Sequence, residues 1–211
     1  MHSTIDERLV SVPQRADGPI LSRRALIGGA VAGGAALALP MPARSMRGAM
    51  RAPMARAMGT EWRLAIRNVH TNETVDALFG RSGRFLPEGL AELNHGLRDW
   101  RTGETMAMDH RLLALLVSLR EKLELSGRTQ IGLISGYRSP RTNAMLRAEG
   151  GSHTGVASQS QHMLGKATDI MVPGVSLARL HGAALALGGG GVGYYPRDGF
   201  VHVDSGPIRH W

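Results

Sequence analysis

The feature that most constrains the fold is a hydrophobic period that keeps changing over short distances. "EWRLAIRNVH" (61–70) alternates, with Trp62, Leu64 and Ile66 on one side, and "TVDALF" (74–79) resumes the alternation after the turn residues Thr71 and Asn72. That is the pattern of a β-hairpin. "PEGLAELNHGLRDW" (87–100) then opens a short helix at Pro87. Behind Asp109, a residue suited to cap a helix, Leu112, Leu116, Leu119 and Leu123 recur as one helical stripe, with Gly127 placed to end it. "QIGLIS" (130–135) reads as a buried strand and "GYRSPRTNAMLRAEG" (136–150) as a turn into a helix closed by Gly150. A flexible loop, "GGSHTGVASQSQ" (150–161), leads to the strand "KATDIMV" (166–172). Ser176 caps the helix "LARLHGAALAL" (177–187), and two short strands, "GVGYY" (191–195) and "FVHVD" (200–204), complete the pattern. Helices and short strands are mixed without βαβ regularity or an internal repeat. The expected class is therefore α+β, a small, mostly antiparallel sheet with flanking helices.

The front of the chain reads as an address. Arg23 and Arg24 in "SRRALI" (22–27) precede an uncharged run of small and apolar residues from Ala25 to Leu39. That run is short for a membrane span and suits the core of a signal peptide. Ala36-Leu37-Ala38 and Ala43 offer cleavage sites, and Pro40 and Pro42 argue against the alternative, a buried Ala/Gly helix. The pattern resembles a twin-arginine export signal. It assigns residues 1–43 to a signal, 44–60 to a Met/Arg/Ala linker and 61–211 to one globular domain. The expected location is the periplasm, without stable membrane insertion once the signal is removed.

The absence of cysteine excludes disulfides and thiolate metal sites, so any metal here must be held by His, Asp or Glu. Net charge is +8, carried almost entirely by Arg. Residues 1–43 hold four Arg and three acids, so +7 belongs to the rest of the chain. A basic domain suits an anionic polymer such as a cell wall, and ordinary solvated arginines explain the same number. No Lys/Arg run is interleaved with aromatics, which argues against a nucleic-acid partner. Nothing in the sequence specifies an oligomeric state.

Strand phase brings the reactive residues together. In "FVHVD", Val201 and Val203 face one way, while Phe200, His202 and Asp204 face the other. In "KATDIMV", Ala167, Asp169 and Met171 share a face. If these strands are neighbours, Asp169 approaches His202, and His162 can fold back from the preceding loop. Two imidazoles and one carboxylate with an open fourth position are the donor set of catalytic rather than structural zinc. On spacing alone the trio reads equally as hydrogen-bonded polar residues at strand ends.

A resemblance sharpens that reading. "SQHMLGKATD" carries Ser160, His162, Gly165, Ala167 and Asp169 in the order Ser-x-His-x-x-Gly-x-Ala-x-Asp. This resembles the D-alanyl-D-alanine carboxypeptidase and murein endopeptidase group of zinc peptidases, in the clan that includes lysostaphin-type and hedgehog-type domains. "SGYRSP" (135–140) is similar to the arginine-bearing turn ahead of the zinc motif in that group. "GGVGYYPRDGFVHVDSG" (190–206) followed by "RHW" resembles its YcbK-like (MepK-like) periplasmic endopeptidase branch. The resemblance covers residues 61–211. It implies Zn2+ held by His162, Asp169 and His202, with Arg138 steadying the oxyanion of the scissile carbonyl. It also implies peptide cross-links of peptidoglycan as substrate, joining D-alanine to diaminopimelate or two diaminopimelates. The rival activities are trimming of terminal D-alanine and wall binding without turnover.

Many relatives carry an acid three residues before the last ligand, or a histidine two before it. Here those positions are Gly199 and Phe200. Asp198, four before, would point away if the strand has already begun. Asp204 is therefore expected either to take the proton from the attacking water or to orient His202 through its other ring nitrogen. Arg138 reads alternatively as a structural partner of Glu149 or of a loop carbonyl. Ser160 either orients the ligand loop or contacts substrate. Tyr194 and Tyr195 alternate, so one meets substrate while the other packs. His153 is a further candidate to reach the groove. The glycine run in "LGGGGVG" (187–193) follows a helix, so it ends that helix and forms a flexible rim rather than a phosphate cradle.

Overall fold

A computed structural model of the chain describes residues 61–149 and 157–211. Residues 1–60, where the signal and linker are expected, lie outside the described residues, as do Gly150 and His153. The hairpin forms as its alternation predicts. β1 (Glu61–Asn68) pairs antiparallel with β2 (Thr74–Arg81), which continues into β3 (Arg84–Phe85). β4 (Gln130–Ser135), β5 (Ala167–Met171), β6 (Gly191–Tyr195), β7 (Phe200–Asp204) and β8 (Arg209–His210) complete one sheet in the order β3-β2-β1-β4-β5-β7-β6-β8. The class is α+β and the sheet is mixed. β1–β4 and β6–β8 pair parallel, and the other neighbouring strands pair antiparallel.

Four α-helices are described: α1 (Pro87–Gly96), α2 (His110–Lys122), α3 (Pro140–Glu149) and α4 (Leu177–Leu187). α2 begins where Asp109 accepts the backbone N–H of Arg111. It is more deeply set than one apolar stripe implies, since every residue from Leu112 to Arg120 is buried. A helix enclosed on all sides tolerates an apolar surface all round, which is why Leu113, Leu115 and Val117 join the expected leucines. It also ends earlier than Gly127. Leu123 is its C-terminal cap, and Glu124 reverses the chain at φ 58°. Gly127 serves instead as an acceptor, its carbonyl receiving the buried Arg120 guanidinium at 2.8 Å. At α4, Ser176 accepts the Arg179 N–H as a cap, and Gly188 closes the helix in the left-handed region.

The sheet has two unlike faces. Ile66, Ile131, Leu133, Ile170, Val192, Val201 and Val203 join α2 and α4 in the core. The register sets Asp169 opposite His202 and Gly193 opposite His202 on its other side. One residue of phase therefore separates the apolar face from the face that carries Asp169 and His202. The glycine run does end α4, but it forms no flexible rim: Gly190 and Gly191 are buried against Asp204, where a Cβ on either would collide. Among the described residues no helix is long and apolar enough to cross a membrane.

Candidate metal centre

β5 and β7 supply Asp169 and His202 from directly paired positions, and a short 3-10 turn, Gln161–Leu164, supplies His162. The turn is held at both ends. Ser160 accepts the His162 N–H at its start, and Gly165 ends it at φ 64°. A Cβ at Gly165 would sit 2.8 Å from the Ala107 carbonyl oxygen. Both the conformation and the close approach thus require glycine there. Ser160 thus holds the turn that bears His162, and it lines the groove as well.

Three donor atoms converge. His162 Nε2 lies 3.2 Å from His202 Nδ1 and 3.2 Å from Asp169 Oδ1, and His202 Nδ1 lies 2.9 Å from Asp169 Oδ1. The outer nitrogens are already engaged. His162 Nδ1 donates to the Gly136 carbonyl at 2.8 Å, and His202 Nε2 donates to Asp204 Oδ2 at 3.0 Å. Those bonds select the tautomers that turn two imidazole lone pairs and one carboxylate toward a common point. Such a set repels itself unless a proton or a cation sits among them, so the residues fit a divalent cation. The electrostatics agree. Burial alone would raise the Asp169 carboxyl, but the charge and hydrogen bonds of His162 and His202 hold it well below the usual carboxylate range. Burial disfavours the His202 imidazolium, yet Asp169 and Asp204 outweigh it and push that ring above its ordinary value.

Asp204 is fully buried and fully occupied. Its Oδ1 accepts the backbone N–H groups of Gly191 at 3.0 Å and Gly206 at 2.8 Å, and its Oδ2 meets His202 at 3.0 Å and Arg209 at 2.7 Å. Burial opposes its ionisation, but these donors more than offset that and depress the carboxyl well below its usual value. It contacts His202 through Nε2, the nitrogen that faces away from the other two donors. Arg138 pairs not with Glu149 but with Asp169, its guanidinium donating to Oδ2 at 3.3 Å. Burial lowers the Arg138 pKa and Asp169 partly restores it.

The trio opens into a groove of about 210 Å³ whose walls include Arg138, Ser160, Tyr195, Asp198 and Trp211. Tyr194 is not among them. It points to the other face and stacks on His181 of α4 at 4.7 Å, while staying exposed. Asp198 does reach the groove, because β7 starts only at Phe200 and Gly199 turns the chain at φ 79°. Arg209 and Trp211 went unassigned in the sequence. No periodic signal could have found them, because β8 is only two residues long and Trp211 lies just beyond it.

Two imidazoles and a carboxylate beside a buried guanidinium form the donor set that metal-dependent hydrolases use. The family described as peptidoglycan L,D-endopeptidase MepK matches residues 56–211, and the chain belongs to that family. It is 41% identical over 189 residues to the peptidoglycan L,D-endopeptidase MepK of Escherichia coli K12, covering 90% of this chain and 96% of that protein. The Shigella flexneri protein of the same name matches equally. A probable peptidoglycan L,D-endopeptidase MepK of Haemophilus influenzae is 40% identical over 148 residues, covering 70% of this chain and 77% of that protein. No solved structure matches.

Proposed function

We propose that this protein is a zinc-dependent murein endopeptidase, exported by the twin-arginine signal in residues 1–43 and acting in the periplasm through the domain 61–211. The observation that carries the reading is the convergence of His162, Asp169 and His202 with both outer imidazole nitrogens already taken. The L,D description of the relatives fits the diaminopimelate-to-diaminopimelate cross-link, in which an L-centre acyl group meets a D-centre amine. It fits less well the link from D-alanine, whose acyl side is a D-centre.

His162, Asp169 and His202 would hold the zinc. When bound, it acts as a Lewis acid that polarises the scissile carbonyl and makes water a competent nucleophile near neutral pH. Arg138, buried and braced by Asp169, presents positive charge to the groove and stabilises the developing oxyanion. Asp198 is the one carboxylate on the groove wall outside the donor trio among the described residues, and we assign it the proton of the attacking water. Asp204 is assigned the other role open to it, fixing His202.

Digestion of defined cross-linked muropeptide dimers, with and without chelator and read by mass, tests the assignment. Zinc-dependent conversion to monomers is expected. Release of single D-alanine residues would mean a carboxypeptidase, and intact dimers with zinc present would mean a binding module.

A further inference from the structure

Trp211 follows β8 and is woven into the edge of the sheet. Its N–H donates to the Val192 carbonyl at 3.2 Å, and its carbonyl accepts the Tyr194 N–H at 3.1 Å. The indole lies over Gly193, where a Cβ would stand 2.7 Å from the ring, and its centroid is 5.3 Å from that of His202. The Arg209 guanidinium sits 5.1 Å above the indole and also holds Asp204. Yet Trp211 is 50% exposed and lines the groove. A large ring so placed covers little core. What it does instead is donate its indole N–H to the Tyr195 hydroxyl at 2.7 Å.

That hydrogen bond has a direction. An indole nitrogen only donates, so the Tyr195 oxygen must accept, and its own proton is left to point elsewhere. The Tyr195 ring cannot swing freely, because it stacks on Phe200 at 4.6 Å and 21° from the directly paired position of β7. Ring plane and oxygen are both fixed, on a wall of the groove that Arg138 also lines. We propose that Trp211 is a positioning residue that aims the Tyr195 O–H into the groove as a hydrogen-bond donor to a carbonyl or carboxylate oxygen of the substrate peptide. This rests on the peptidase reading above. The substrate contact belongs to Tyr195, and Trp211 acts through it.

A double-mutant cycle on the full chain tests the pair. Tyr195→Phe removes the donor, and Trp211→Phe keeps a ring but removes the N–H that aims it. KM is measured on a defined cross-linked muropeptide dimer with zinc, and Kd for the same dimer after chelation, where turnover is not needed. A neutral hydrogen bond implies a rise of about fivefold for Tyr195→Phe and about threefold for Trp211→Phe, with kcat within about twofold. The double variant should be no weaker than Tyr195→Phe alone, because removing the hydroxyl leaves Trp211 nothing to aim. Gly193→Ala, which pushes a methyl into the indole from the strand side, should reproduce the Trp211→Phe effect if that variant folds poorly. The proposal is overturned if the two effects multiply, if Trp211→Phe and Gly193→Ala leave KM and Kd unchanged, or if the loss is confined to kcat. A wild-type protein that binds dimers without cleaving them would sink the peptidase assignment while leaving the Kd comparison intact. One that does not bind them sinks both.

Discussion

Replacing Asp204 with asparagine separates the two roles a carboxylate beside His202 can have. Two backbone donors, Gly191 N–H and Gly206 N–H, converge on Oδ1 and cannot rotate away. The asparagine carbonyl must therefore stay there, and its NH2 must take the place of Oδ2, facing His202 Nε2 and Arg209. Two donors then oppose each other across 3.0 Å. The cheapest relief is for His202 to shift its proton to Nδ1, which removes the lone pair that faces His162 and Asp169. Loss of such an outer partner lowers metal affinity by roughly 10- to 100-fold. The lost charge-assisted bond to a fully buried carboxylate costs about 2–4 kcal/mol of stability, lowering Tm by roughly 5–15 °C. Arg209, partly exposed, rehydrates and limits the damage. The assay is zinc affinity by competition with a chelating dye, alongside activity at saturating zinc. Excess zinc should recover much of the rate. A variant with wild-type affinity and a rate that no zinc concentration restores would refute this argument and make Asp204 the proton acceptor.

Three further outcomes follow from the same geometry. His162→Ala should lose both bound metal and activity, and stoichiometric zinc in that variant by elemental analysis would remove His162 from the ligand set. Gly165→Ala should destabilise the protein by about 1–3 kcal/mol in urea, because an alanine there is strained at φ 64° and meets the Ala107 carbonyl. Asp99 is buried; desolvation works against its ionisation, but hydrogen bonds from Thr142, Ser139 and the Arg101 N–H prevail and depress its carboxyl. Its folded pKa lies below its unfolded one, so its stabilisation is present above about pH 4 and is lost as pH falls through the folded value. Asp99→Asn should flatten the fall of the urea midpoint with acidification, and an unchanged slope would exclude that linkage.

The site was legible where it depends on phase. Alternation in "FVHVD" and "KATDIMV" sets His202 and Asp169 on one face, and the sheet pairs them directly. Caps at Asp109 and Ser176 were legible because a short polar side chain before an apolar run has few other uses. What escaped depends on partners remote in sequence. Alternation within "FVHVD" says nothing of the left-handed turn at Gly199, beyond which Asp198 lines the groove. Nor can a spacing tell that Asp204 is satisfied by Gly191, Gly206 and Arg209. A two-residue strand such as β8 is too short for any periodic signal, and it carries Arg209 to Asp204 and Trp211 to the groove.

The direct pairing of Asp169 with His202 has a kinetic consequence. β5 and β7 lie inside the sheet, each hydrogen-bonded on both sides. A cation held between them would stitch two central strands to the turn bearing His162, so its escape requires either stepwise ligand release through the groove or opening of the sheet's middle. The second route is as rare as the deepest unfolding of the domain. Amide exchange in β5 and β7 should therefore slow on loading with metal by the factor 1 + [metal]/Kd, while the β1–β2 hairpin at the far edge keeps its own rate.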